Sequence, residues 1–152
     1  PTLDGLPVVK PPYGRVTAID LNKGDTKWMT AVGDGPREHP LLKDLNLPPL
    51  GAPLRNAPLV TKSLLFIATG QGNLGGGRNL PVGGRPLTAG VAPEPIKLRA
   101  YDKATGALEW DFLPPSRPLA SPMTYSYQGV QYLVVAAGSG PSAELIAFTL
   151  GQ

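Results

Sequence analysis

The stretch LRAYDKATGALEWDF, Leu98 to Phe112, decides how the rest of the chain is read. It contains Ala100, Asp102, Gly106 and Trp110, and the same four residue types stand earlier at Ala18, Asp20, Gly24 and Trp28. Every pair is separated by 82 positions, so the pattern A-x-D-x3-G-x3-W occurs twice in register. Repetition at a fixed offset is the signature of folds built by stacking one supersecondary unit.

Each residue type has a physical task in that pattern. RVTAIDL (Arg15 to Leu21) and KLRAYD (Lys97 to Asp102) are β-rich runs with an Asp at or near the end. Its carboxylate can accept hydrogen bonds from the turn that follows. DLNKG (Asp20 to Gly24) and DKATG (Asp102 to Gly106) then read as hairpin loops, with Gly supplying positive φ. The return strands, DTKWMTAV and ALEWDFL, carry one Trp each at the same height. A flat apolar ring repeated once per unit suggests a spacer packed against the neighbouring unit. The simpler alternative is two unrelated hairpins that share a common turn.

Composition narrows the class. The chain has 152 residues, enough for one domain with a sizeable core. Its 19 Gly and 19 Pro accompany 41% apolar residues in β-type runs, which argues for a loop-rich all-β domain over disorder. The net charge of +3 is small and the basic residues are scattered, so nothing points to nucleic acid or an anionic membrane surface. With no Cys there is neither a disulfide framework nor a thiolate metal site. No apolar run approaches the ~20 residues of a membrane-spanning helix.

The repeat resembles the tryptophan-docking motif of the quinoprotein dehydrogenases, eight-bladed β-propellers that bind pyrroloquinoline quinone (PQQ). Three further segments resemble that family, its glucose and quinate dehydrogenase branch in particular. They are LPVVKPPYGRVTAIDLNKGDTKW (Leu6 to Trp28), HPLLKDLNLPPLG (His39 to Gly51) and SPMTYSYQGVQYLVVAAG (Ser121 to Gly138). ELIAFTL (Glu144 to Leu150) resembles the family's last strand. The resemblance covers most of the chain, in the order found at the carboxyl end of such enzymes.

In chain order, Pro1 to Gly14 is a Pro-rich extended approach, unfavourable for a helix. Residues 14–32 form the outer hairpin of one blade. Gly33 to Arg55 is a long connection whose only helical signal is a turn or two within His39 to Leu45. Residues 57–113 make a complete four-stranded blade, with two strands in Pro58 to Thr69, an insertion at 70–95 and the second repeat hairpin. Residues 120–150 make a last blade lacking one strand. The fold class expected is therefore all-β: a partial propeller of two to three blades, incomplete as an isolated chain. Alone it would expose sheet edges and apolar faces, so its first partners are the remaining blades of the same enzyme.

The resemblance implies a part of an enzyme, inactive as an isolated segment, that oxidises a sugar or alcohol. Hydride passes to PQQ, Ca²⁺ polarises the quinone, and electrons leave to a quinone or cytochrome acceptor. It also implies a periplasmic location, with any membrane anchor outside this segment. In the family the catalytic base, the metal ligands and most cofactor contacts lie upstream, so no catalytic or metal residue is assigned here. Asp20 and Asp102 belong to the repeat and read as turn residues. Asp34, Glu38, Asp44 and Glu94 show no paired spacing for acid–base work.

Three places are candidates for the cofactor pocket. The family carries a Leu-Gly-Gly-Pro-type segment before the strand matching Leu59 to Thr61, and this chain reads LRNAP, with Arg55 and Asn56 there. A guanidinium suits a PQQ carboxylate, and the alternative is a solvated loop arginine. Gln71, with Asn73, stands where relatives carry Asp, at the head of the 70–95 insertion. That insertion is either part of the substrate mouth or a surface loop, and its glycines lack the Lys-Ser/Thr ending of a phosphate loop. AAGSGP (Ala136 to Pro141) lacks the His usual in the glucose branch. His39, the only His, lies in a segment expected to be a surface connection. Two other readings compete: a non-catalytic propeller of the same repeat superfamily that scaffolds envelope proteins, and a free-standing β-sandwich.

Overall fold

The structure is a computed structural model, and it describes residues 2, 3, 6–52, 57–69 and 95–149. All regular elements among them are strands, apart from two short 3₁₀ turns at Lys43–Leu45 and Gly140–Ser142. The all-β expectation therefore holds. The chain divides into two units, Pro1–Arg55 with Thr69–Pro95, and Asn56–Ala68 with Ile96–Gln152.

The first unit begins with a small antiparallel pair, β1 (Thr2–Leu3) and β2 (Leu6–Pro7). The extended approach read from the sequence is thus partly paired, which two-residue strands give no periodicity to announce. The first repeat hairpin is β3 (Arg15–Ile19) and β4 (Thr26–Ala31). Val16 and Ala18 are half buried while Arg15, Thr17 and Ile19 are exposed, the alternation of a ribbon covered on one side.

The connection that follows is bonded to this hairpin residue by residue. Val32 N–H donates to the Gly14 carbonyl at 3.0 Å, and Ala52 N–H donates to Val32 at 2.8 Å. Gly51 N–H reaches Gly33 at 3.0 Å, Leu50 N–H reaches Asp34 at 3.0 Å, and Tyr13 N–H reaches Leu50 at 2.8 Å. Backbones lie so close here that a Cβ on Gly14 would run into the Ala52 carbonyl, and one on Gly51 into Gly14. Val32, Leu50 and Ala52 are buried around this ladder.

The helical signal in His39–Leu45 yields only the 3₁₀ turn Lys43–Leu45, ended by Asn46 at φ +46°. Left-handed backbone at an Asn is a usual way to stop such a turn. His39 departs from the surface reading: it is only 4% exposed, and its Nδ1 accepts the Leu41 N–H at 3.2 Å. Leu41 and Leu45 do lie on the surface.

The second unit holds two sheets. One has the order β5 (Leu59–Val60), β6 (Leu64–Thr69), β7 (Lys97–Asp102), β8 (Leu108–Phe112). As an internal strand, β7 is buried on both faces from Leu98 through Tyr101, and full burial of a side chain like Leu98 contributes about 2 kcal/mol. The other sheet has the order β11 (Glu144–Thr149), β10 (Val130–Ala137), β9 (Met123–Tyr127). β9 and β10 join through Gln128 and Gly129, at φ +50° and +79°, the backbone a two-residue hairpin requires.

Candidate functional site

The two repeats build the same local object. Ala18 pairs with Trp28 across β3–β4, Ala100 pairs with Trp110 across β7–β8, and each ladder shifts register at the next residue. Gly24 N–H donates to the Asp20 carbonyl at 2.7 Å, and Gly106 N–H donates to that of Asp102 at 2.8 Å. Both glycines sit near φ +77°, at +77° and +76° respectively.

The aspartates close these turns with their side chains. Asp102 Oδ1 accepts the Ala104 N–H at 2.9 Å, the Thr105 N–H at 2.7 Å and the Thr105 hydroxyl at 2.8 Å. The Thr105 hydroxyl, then its N–H, holds the Asp102 carboxyl below its ordinary value of 3.8. Asp20 Oδ1 accepts the Asn22 N–H at 2.9 Å, and Lys27 Nζ stands 3.6 Å from Oδ2. The Asn22 N–H is the main cause that lowers Asp20 as well. A carboxylate stabilised as an anion in this way is a weakened proton acceptor, so these are turn-closing groups.

Asp111 is engaged too. Lys97 Nζ donates to its Oδ2 at 2.6 Å, and that bond, with the charges of Lys97 and Arg99, lowers its pKa. Arg37 stands 3.9 Å from Asp34. No group of three His, Asp or Glu side chains that could hold a metal ion occurs among the described residues.

Trp110 lies between sheets. Its ring stacks parallel to Phe112 at 5.9 Å and meets Phe148 of β11 edge-on at 5.6 Å, while Phe112 and Phe148 are 5.0 Å apart. Edge-to-face rings at these separations are favourable packing, so the aromatic of the second repeat joins the four-stranded sheet to its three-stranded neighbour.

The cofactor-pocket candidates Arg55, Asn56 and Gln71, together with Asn73 and Glu94, lie outside the described residues. Of the third candidate segment, Ser139 accepts the Ser142 hydroxyl at 2.9 Å beside the exposed Gly140–Ser142 turn. Sequence reasoning missed Lys103, whose Nζ donates to the Thr61 carbonyl at 3.0 Å and whose N–H donates to Ser63 at 2.8 Å. It ties the second repeat turn to the β5–β6 turn. A bond spanning 42 positions leaves no local signal.

The family described as PQQ, "Glucose/ethanol/alcohol dehydrogenase, beta-propeller domain", matches residues 2–133. The chain is similar to a probable quinate dehydrogenase (quinone) of Xanthomonas campestris pv. juglandis, 33% identical over 138 residues. It is 32% identical over 134 residues to the glycerol dehydrogenase large subunit of Gluconobacter thailandicus. It is 29% identical over 140 residues to the quinoprotein glucose dehydrogenase of Escherichia coli (strain K12). Each alignment covers 88% of this chain but only 14% or 15% of the relative, so the chain spans about a seventh of their length. No solved structure matches it. A family match over residues 2–133, on a chain whose repeat hairpins fold alike, means that this chain belongs to the PQQ-type glucose/ethanol/alcohol dehydrogenase β-propeller family.

Proposed function

We propose that this chain supplies the carboxyl-terminal blades of a PQQ-dependent dehydrogenase that oxidises a sugar or alcohol of the glucose, quinate or glycerol kind. The observation that carries the reading is the family match across residues 2–133. Electrons leave to a quinone or cytochrome acceptor, Ca²⁺ accompanies the cofactor, and the enzyme works in the periplasm. Residues 14–32 are the outer hairpin of one blade, 57–113 a complete blade and 120–150 the last.

PQQ, when bound, accepts the hydride equivalent taken from the substrate carbon. The described residues do not fit that group: their well-placed carboxylates close turns or strand pairs, and no metal-ligating cluster occurs among them. No chemical step is assigned to them. Their part is to build sheets that carry loops, and a rigid scaffold bearing functional loops is the common division of labour in such folds. Arg55, with Asn56 and Gln71, is the proposed contribution to the cofactor, by a bidentate guanidinium–carboxylate pair.

The test is a titration of the full-length protein with PQQ and Ca²⁺, followed by dye-linked oxidation of glucose, quinate, glycerol and simple alcohols. Saturable activation is expected. A folded sample that neither binds PQQ nor turns over would move the assignment to a non-catalytic scaffold. In an active protein, Arg55→Ala should weaken PQQ about tenfold, the effect of losing one charge-assisted pair.

A further inference from the structure

The strands of the second unit send their short turns to one end and their long connections to the other. β5–β6, β7–β8 and β9–β10 are joined at residues 61–63, 103–107 and 128–129. At the opposite end β5 begins, β6 ends, β7 begins and β8 ends, and the proposed cofactor residues precede β5 and follow β6 in the chain. β8 leaves this end through residues 113–122, which enter β9 beside the close of β10. Connections carried by a rigid scaffold are where such folds place recognition.

Residues 117–119 run along the last residues of β10. The Arg117 carbonyl accepts the Gly138 N–H at 2.9 Å, Pro118 bridges Ala137, and the Leu119 N–H donates to Ala136 at 3.0 Å. Arg117 precedes a proline, which restricts its backbone to extended conformations, and Pro114 and Pro118 are both buried. The backbone is thus held while the Arg117 side chain is exposed. Ala137 also pairs with Glu144, so Pro118, Ala137 and Glu144 form one cross-strand row and share a face. Arg117, one residue away, points to the other face, away from the Glu144 carboxylate. Among the described residues no ion pair forms at Arg117, whereas Lys97, at the start of β7, is engaged by Asp111 at 2.6 Å.

We propose that Arg117 is a specificity-determining residue that pairs with a carboxylate of the substrate. The enzyme then acts on a hydroxy acid, an alcohol bearing a carboxylate, in preference to neutral sugars and polyols. The inference rests on the proposed reading of the chain as part of a dehydrogenase and narrows its substrate class. A guanidinium donates two parallel N–H groups to one carboxylate, and a backbone already held in place leaves less freedom to lose on pairing. The similar proteins divide on this point: quinate carries a carboxylate, whereas glucose and glycerol carry no charge. PQQ is a second source of the same chemistry, because it carries carboxylates of its own, and the experiment separates the two.

The experiment compares the full-length protein with its Arg117→Gln variant, using quinate as the carboxylate probe and glucose and glycerol as neutral ones. By calorimetry, quinate binding should weaken about tenfold in the variant, the loss of one charge-assisted pair, while PQQ binding stays the same. In turnover, the ratio of kcat/KM for quinate to that for glucose should fall by about the same factor, with the loss appearing in the KM for quinate. Arg117→Lys keeps the charge without the fork and should fall between the two. Unchanged quinate binding in the variant overturns the proposal, and so does an equal loss for the neutral probes. A loss confined to PQQ also overturns it, because the carboxylate recognised is then the cofactor's. A protein that turns over glucose or glycerol with PQQ but does not bind quinate loses the specificity and keeps the dehydrogenase. Arg117-dependent binding of quinate without PQQ-dependent turnover keeps the carboxylate site and removes the dehydrogenase.

Discussion

Hairpins β3–β4 and β7–β8 carry the same four residue types in the same register, yet they are stabilised differently. Val16 in the first is half buried, whereas the matching Leu98 in the second is fully buried. The first ribbon is bonded to its own connection, through Val32, Gly51 and Ala52. The second lies in a four-stranded sheet and packs Trp110 and Phe112 against Phe148. The motif therefore specifies the hairpin, and the neighbour determines how much stability the hairpin draws from burial. A repeat that cannot bury its own apolar face depends on what is stacked beside it.

The largest effect expected from breaking this contrast is at Gly14. Gly14→Ala would drive a Cβ into the Ala52 carbonyl, which neither backbone can avoid without losing the ladder. A local loss of about 4 kcal/mol or more is expected. Native-state hydrogen exchange in the full-length protein should show the Val32 and Ala52 amides exposed and the β7 amides unchanged. Simultaneous loss in β7 would mean that the two hairpins are not supported independently.

Next in size is the matched pair of core truncations. Leu98→Ala should cost about 3 kcal/mol, and Val16→Ala about 1 kcal/mol, because only the first leaves a cavity in a fully covered face. Equal losses, by denaturant melts or by exchange, would show that the first ribbon is as fully covered in the full-length protein as the second.

A smaller difference concerns the turns. Both carboxyls are lowered in the folded chain, so their stabilisation is present above the ordinary value of 3.8 and is lost as pH falls through the lower folded value. Thr105→Val removes the leading cause at Asp102 and should move its loss to higher pH, toward 3.8, leaving the Asp20 turn unchanged. The pH dependence of exchange at the Gly106 and Gly24 amides reads both in one experiment. A parallel shift at Gly24 would refute the separate causes.

The smallest effect belongs to Lys97 and Asp111, whose side chains are 31% and 39% exposed. Asp111→Asn should cost at most about 0.5 kcal/mol, and less at high salt, because an exposed pair is well screened. A salt-independent loss above about 1 kcal/mol would show this pair desolvated by a neighbouring element in the full-length protein.

Much of this is legible in the sequence. A-x-D-x3-G-x3-W states its turn chemistry locally: an acceptor that closes the loop, a Gly that takes positive φ, and a ring at fixed height. β9 to β11 were legible for the same reason, through alternation and the Gln128–Gly129 turn. The connection after β4 was not. His39 sits in a polar, Pro-flanked run that reads as surface, and its burial depends on what folds over it. The Gly14–Ala52 approach and the Lys103–Thr61 bond join residues distant in sequence, so no window of the chain contains both partners. The cofactor candidates Arg55, Asn56 and Gln71 rest on where family members carry other residues, a comparison that the PQQ titration tests.

By itself the sequence determined the all-β class, the two equivalent hairpins and the family, because these depend on residue type and short spacing. Tertiary structure alone decided which copy of the motif is buried and which ring Trp110 meets. The physical reason is that burial and cross-sheet contact are properties of neighbours in space, and identical local patterns acquire different neighbours.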